Sequence, residues 1–367
     1  MSAHAPLMPS AAGRWVRCPG SVAMEARYPE DADSAKAMQG TAAHWAAAEL
    51  LEDRDIVLGQ IAPNGIVLDD EMCEAAQLYA RHIYDTVPGS EHWYVEERVA
   101  IPYVHADNWG TPDFFAMYGG VLHIVDFKFG HGYVEVFENW QLLDYACGVL
   151  DGVNGAADQH IDVVLTIVQP RSYHSDGPVR SWRVTAAEVR PYFNRLQSAA
   201  AAAMQPGAPC RISSECKHCN ARHACKALQN AAMDACDVAV TAAPVDMPPD
   251  AMGLELRTLQ RAADMIKARI SGLEEVTLST IRRGGSVPGY RIEHAKGRKR
   301  WNAPIEQVIT MAKLMEIDIA RSLAAITPSQ AVKSGLPADL VDMFSIVPQG
   351  EAKIVADDGT RARQVFG

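Results

Sequence analysis

The sequence predicts an α/β fold with a covered central sheet. The segment around Gly119-Gly120 is apolar on both sides, through Phe114, Phe115, Met117, Leu122, Ile124 and Val125. A strand apolar on both faces belongs in the middle of a covered sheet. Helical stretches lie before and after it, at 40–51, at 141–145 and from Thr185 onward. A third observation divides the chain. The stretch 241–250 carries three prolines without helical period and reads as a linker. It separates a first domain, 1–240, from a smaller, mainly helical one, 251–367. A chain of 367 residues is long enough for two domains.

The elements follow in order. Gly40-Thr41-Ala-Ala-His44 opens an alanine-rich helix to about Leu51, with Thr41 in the N-cap role. Trp93 to Ile101 is strand-like and carries Glu97. Gly119-Gly120 favours a two-residue hairpin turn, which pairs Tyr118 with Val121 and sets Asp113 opposite Asp126. The next helix carries Gln141 and Tyr145, which share one face at i and i+4. An amphipathic helix starts near Thr185 and ends in the alanine-rich 199–204 stretch. Beyond the linker come an amphipathic helix at 253–282, a strand at 289–294 and helices at 304–317, 327–334 and 337–344. The tail from Gln349 reads as extended.

Directly opposed residues in a hairpin have Cβ atoms about 4.5–5.5 Å apart. Two carboxylates at that distance repel unless a cation lies between them, and a divalent metal is the natural one. Lys128 shares a face with Asp126, two residues away, beside an attacking water and a scissile phosphate. The backbone carbonyl of Phe127 offers a further ligand, and His44 a nitrogen ligand. Gln141 and Tyr145 are uncharged hydrogen-bonding groups suited to DNA. A lone D-x-K tripeptide occurs by chance on many strands; the ordered set with its register is far more specific.

His44, Asp113, Asp126-x-Lys128 and Gln141-x3-Tyr145 together resemble the RecB-type branch of the PD-(D/E)XK nuclease superfamily, over roughly residues 14–230. The resemblance implies a restriction-endonuclease-like core, a mixed central sheet flanked by helices. It implies that Asp113 and Asp126 hold Mg2+ or Mn2+ with His44 as an extra ligand. Lys128 would orient water, and Gln141 and Tyr145 would line the DNA path. Glu97 falls where some members carry another acid.

The cysteines give a second signal. Cys216-x2-Cys219-x5-Cys225 is a tight cluster in a polar segment, and three thiolates there suit a soft metal. Cys18, in Arg17-Cys18-Pro19-Gly20, is the expected fourth ligand, with Cys210 as the alternative. The layout resembles AddB-like helicase-nucleases and CRISPR-adaptation nucleases. Those place one cysteine before the core and three after it around a [4Fe–4S] cluster, of the thiolate-ligated kind. His218 and His223 lie inside the cluster, so a mixed Cys/His zinc site stays open. No secretory apolar region leads the chain, so a reducing compartment is expected, the cytoplasm of a bacterial host. Cys73, Cys147 and Cys236 read as buried small residues on helices.

The net charge of −11 runs against the basic footprint usual for nucleic-acid binders. Basic residues concentrate between Arg282 and Trp301, including Arg298, Lys299 and Arg300. That segment is read either as a phosphate contact or as a solvated loop. No apolar run reaches the about 18 residues of a membrane span. The layout with its C-terminal part also resembles a phage and prophage family with RecB-type features, implying a role in phage DNA recombination, replication or repair. The expected activity is a metal-dependent DNA exonuclease. The alternatives are an endonuclease on the same fold and a catalytically silent DNA-binding or scaffold protein. The expected partners are DNA, a phage single-strand-binding or annealing protein, and further copies of the chain.

Overall fold

The computed structural model describes residues 5–29, 35–89, 93–151, 160–172, 174–239, 247–296, 300–301, 305–319, 327–347 and 349–356. The chain divides into two compact units, Met1–Gly272 and Leu273–Gly367.

The first unit opens with short helices α1 (Ala12–Arg17) and α2 (Ser21–Glu25), then α3 (Ala35–Leu51) and α4 (Asp70–Thr86). Strands β1 (Trp93–Val95), β2 (Val99–Ala100), β3 (Trp109–Gly110), β4 (Phe114–Tyr118) and β5 (Val121–Phe127) follow. Next come α5 (Trp140–Asp151), β6 (Asp162–Val168), β7 (Val179–Thr185), α6 (Ala186–Ala203) and α7 (Lys226–Ala239). The long α8 (Pro249–Arg282) begins before the sequence-based start at Gly253 and crosses from this unit into the second. The division therefore falls inside a helix at Gly272, and not at the 241–250 stretch, of which 241–246 lies outside the described residues.

The main sheet is five-stranded and mixed, in the order β1-β4-β5-β6-β7. Only β5 and β6 run parallel; the other pairs are antiparallel. The β4–β5 register is the one the Gly-Gly turn requires, from Tyr118↔Val121 to Phe114↔Val125. Both turn glycines have positive φ, 59° and 79°, the backbone of a two-residue turn that matches strand twist. Alternate strand residues bury into two cores. Phe115, Leu122, Ile124, Val163, Leu165 and Ile167 pack with α1, α5 and α6. Phe114, Ala116, Val125, Phe127 and Val168 pack with α3 and α4. This is the α/β architecture with a sheet flanked on both faces.

Several local expectations change. Helix α3 starts at Ala35, so Thr41 is inside it and is no N-cap; its hydroxyl donates to the Ala37 carbonyl at 3.0 Å. A threonine inside a helix turns its hydroxyl back to the preceding turn in this way. The 93–101 stretch is two strands, broken at Glu96, whose φ is 50°. Thr185 caps α6 as expected, with Glu188 completing a capping box. Of the three remaining cysteines, Cys147 is buried and Cys73 half-buried, but Cys236 is exposed.

The second unit contains β8 (Tyr290–Lys296), β9 (Arg300–Trp301), α9 (Ile305–Leu314), α10 (Pro328–Lys333), α11 (Ala338–Met343), β10 (Ser345–Ile346) and β11 (Gln349–Ala356). Val308, Ala312, Ile319, Ala331, Leu336 and Val341 form its core. The unit holds more sheet than the helical reading anticipates. The tail read as extended finds a partner, because β11 pairs antiparallel with β8, and β10 pairs with β9.

Candidate functional site

A polar cluster gathers where β5 ends. Asp126 and Lys128 share the sheet face of Leu122 and Ile124, which packs on α5. Successive strand residues alternate faces, so this follows from their even spacing. Lys128 Nζ donates to Asp126 Oδ1 at 3.2 Å and to Gln141 Oε1 at 3.0 Å. Gln141 Nε2, from α5, donates to the same Oδ1 at 2.8 Å. Asp126 Oδ2 lies 3.0 Å from the ammonium, so both oxygens of this buried carboxylate face the lysine charge. A buried carboxylate is costly unless a cation compensates it.

Asp113 precedes β4 by one residue and lies across from Asp126. Its Oδ1 is 2.9 Å from Nδ1 of His44, which reaches over from α3 on the other layer. Its Oδ2 accepts the Phe127 N–H at 2.6 Å. The N–H and C=O of one strand residue point to the same side. The Phe127 carbonyl therefore faces the Asp113 side, while the Lys128 N–H turns to the Val168 carbonyl at 2.9 Å.

The third acid is Glu96, which sequence reasoning missed. Strands β1 and β4 pair with Val95 opposite Phe114. One step on, Glu96 falls opposite Asp113, and its N–H donates to the Asp113 carbonyl at 3.3 Å. Glu96, Asp113 and Asp126 thus follow one another across the sheet's edge. Ligand atoms of His44, Glu96 and Asp113 all lie within 4.8 Å of one another. Asp126 is not in that tight group, being held by Lys128 and Gln141. Glu97, the acid singled out in the sequence, is outside the group. Glu96's left-handed φ is an uncommon backbone state for a non-glycine residue, of a kind that concentrates at functional sites.

The charges are mutually adjusted. Glu96 is exposed at the surface, but crowding of its carboxyl by the site and then the Asp113 charge push it up to about 7. Burial raises Asp126 to about 6, with Lys128 pulling down and Asp113 pushing up. Burial also opposes ionisation of Asp113, but His44, Lys128 and the Phe127 N–H outweigh it and hold Asp113 below the usual carboxylate value. For His44, burial lowers the pKa, and the Asp113 charge and hydrogen bond more than reverse this. Lys128 stays above the ordinary lysine value because Asp126 and Asp113 outweigh its burial. Three acids whose charges raise or compete with one another, beside a histidine and a lysine, suit a hard divalent cation with oxygen and nitrogen donors.

Two sequence expectations need correction. Tyr145 does not line an open path: it is 4% exposed, and its hydroxyl donates to the Thr111 carbonyl at 3.0 Å. Its ring is packed in the core, so it props the loop that presents Asp113. Gln141 faces the carboxylate–lysine pair. Arg298 and Lys299 lie outside the described residues, and Arg300 opens β9.

Fold and site define a class: an α/β protein with a row of acids, a histidine and a lysine at the carboxyl end of a central strand. Open α/β sheets place ligand sites at such ends. The chain belongs to the family described as Protein of unknown function (DUF2800), whose model matches residues 4–362.

A second cluster lies apart from the acids. Cys18, Cys210, Cys216, Cys219 and Cys225 line one cavity, together with Arg14, Arg211 and Arg222. Burial pushes the Cys210 thiol up to about 11 and the Cys219 thiol up to about 12, Arg14 pulling the latter only partly back. The Cys18 sulfur accepts the Arg211 N–H at 3.2 Å, and the Cys216 sulfur accepts the Ser213 N–H at 3.4 Å. His223 turns Nδ1 to the Asn220 carbonyl at 3.1 Å and stacks edge-on against Tyr28. No three cysteine sulfurs among the described residues lie within 4.8 Å of one another. A single tetrahedral zinc, with Zn–S near 2.3 Å, would hold them about 3.8 Å apart.

Proposed function

We propose that the protein is a metal-dependent deoxyribonuclease of the PD-(D/E)XK type, acting as an exonuclease. The observation that carries this is the His44–Glu96–Asp113 group, whose ligand atoms lie within 4.8 Å of one another, across the strand from the buried Asp126–Lys128 pair. His44, Glu96, Asp113, Asp126 and the Phe127 carbonyl would hold Mg2+ or Mn2+. Bound there, the metal supplies Lewis-acid polarisation of a phosphate and a water of lowered pKa.

The chain's own groups then have distinct tasks. Lys128, kept charged by two carboxylates, stabilises negative charge developing on the phosphate. Gln141 fixes both Lys128 and Asp126 by hydrogen bonds, so neither swings away. His44 fixes the Asp113 carboxylate from the opposite layer. Tyr145 holds the Thr111 carbonyl and with it the approach to Asp113.

The cysteine cluster is read as holding a [4Fe–4S] group. The sulfurs surround a cavity rather than a point, and three arginines offset the charge of four thiolates and a cluster. It would staple residue 18 to the 210–225 segment, closing a loop whose entropy cost grows slowly with length.

The test is incubation of anaerobically purified protein with end-labelled linear DNA and with circular DNA, under Mn2+, Mg2+, Ca2+ or EDTA. Loss of linear DNA in Mn2+ or Mg2+, with circles spared, is expected. Cleavage of circles would replace exonuclease by endonuclease. Absence of cleavage by metal-replete protein would overturn the nuclease reading and favour a DNA-binding scaffold.

A further inference from the structure

Five thiols line a cavity whose proposed cluster takes four. Three of the sulfurs lie beside backbone donors. Cys18 accepts from Arg211 N–H and Cys216 from Ser213 N–H, as described, and the Ala221 N–H lies near enough to Cys219 to oppose the rise that burial gives its thiol. Hydrogen bonds of this kind orient and tune thiolate ligands. Cys225 stands at the start of α7, where its carbonyl accepts the Gln229 N–H at 3.0 Å. It lines the cavity with the other three, which makes Cys225 the natural fourth ligand.

Cys210 is held beside it. Its thiol lines the same cavity as Cys225 and Cys18, close enough for the charge of either to push it up. The backbone that carries it is clamped, because Gly20 N–H donates to the Pro209 carbonyl at 3.0 Å. A Cβ on Gly20 would lie 2.7 Å from the Cys210 sulfur, so the two segments meet in direct contact. A half-buried fifth thiol in the cavity of the other four is more than the four-ligand site needs.

We infer that Cys210 is a second donor for the fourth corner of the cluster, interchangeable with Cys225. The inference rests on the cluster reading above. Its consequence is a site that keeps its metal when either thiol of this pair is lost, by mutation or by oxidation.

The experiment compares full-length wild type with Cys18→Ser, Cys216→Ser, Cys219→Ser, Cys210→Ser, Cys225→Ser and the double Cys210→Ser/Cys225→Ser. Iron, zinc and acid-labile sulfide are measured after anaerobic purification. Circular dichroism checks that each is folded, and folded variants are also reconstituted with ferrous iron and sulfide. Loss of iron by at least about tenfold is expected for the Cys18, Cys216 and Cys219 variants and the double variant. Each single variant of Cys210 or Cys225 is expected to keep most of it. If Cys225→Ser, folded, loses iron as fully as Cys219→Ser, or Cys210→Ser alone does so, interchange is overturned. Wild-type protein holding neither iron nor sulfide would refute the cluster reading itself, before any variant is compared.

Discussion

Replacing Asp126 by asparagine should stabilise the metal-free protein while removing its response to metal. The structure gives the size. A carboxyl raised from 3.8 to about 6 has an ionised form that is less stable in the folded than in the unfolded chain by about 3 kcal/mol. That value already nets Lys128 attraction against burial and Asp113 repulsion. An asparagine oxygen still accepts from Lys128 and Gln141 but carries no charge. The folded pKa is above the unfolded one, so the penalty is absent below about pH 4 and complete above pH 6. At pH 8 in EDTA, Asp126→Asn should melt roughly 6 °C above wild type, at about 2 °C per kcal/mol for a unit of this size. At pH 4 the two should melt together. Saturating Mn2+ should raise wild type by an amount set by its affinity, about 2.7 kcal/mol at a hundredfold excess over Kd, and leave the variant unmoved. A variant that melts below wild type at pH 8, or a gap that ignores pH, would show that Asp126 is a satisfied structural partner of Lys128 and refute the reasoning.

Other outcomes separate the residues. Glu96→Gln should lower metal-dependent cleavage by about 10² or more, in line with losing one electrostatic contact to the reacting centre, whereas Glu97→Gln should leave the rate within twofold or so of wild type; equal effects in a single-turnover assay would remove Glu96 from the site. Tyr145→Phe should lower stability by about 1 kcal/mol through the lost bond to Thr111, with DNA affinity in Ca2+ unchanged; a drop in affinity at unchanged urea midpoint would return Tyr145 to the DNA path. Gly110→Ala should destabilise by about 1–3 kcal/mol, because its Cβ would lie 2.8 Å from Pro9 and 2.9 Å from the Tyr145 ring; a neutral urea midpoint would show that this packing yields easily.

What the sequence revealed and what it hid have a common cause in register. Gly119-Gly120 is a two-residue turn, so the pairing of Asp113 with Asp126 follows from local chain geometry and was legible. Lys128 and Gln141 followed from periods of two and of 3.6. Glu96 was not legible, because β1 reaches β4 across an excursion through β2 and β3 with no tight turn to count from. Glu97 enters only through the resemblance, and the break of the 93–101 stretch at Glu96 is what sets Glu96 opposite Asp113. Tyr145 was legible as a partner of Gln141 on one face but not as a buried prop, since burial depends on which helix face meets the sheet. Cys210 was visible as an alternative ligand; only the contact between Gly20 and the 208–210 segment brings it into the same cavity as Cys18 and Cys225. The β8–β11 pairing joins segments far apart in the chain, and the tail alone carries no sign of its partner.

The most direct measurement is single-turnover cleavage of end-labelled linear DNA by wild type and Asp113→Asn, side by side, in Mn2+ and in EDTA. Asp113 touches His44, the Phe127 N–H and, through the ladder, Glu96, so it is the centre of the proposed metal group. Cleavage by wild type in Mn2+ only, with Asp113→Asn folded but slower by about 10³ and melting somewhat lower in EDTA, since its ionised form is stabilised in the fold, is the predicted result. Equal rates for the two proteins, or cleavage that persists in EDTA, would contradict the account.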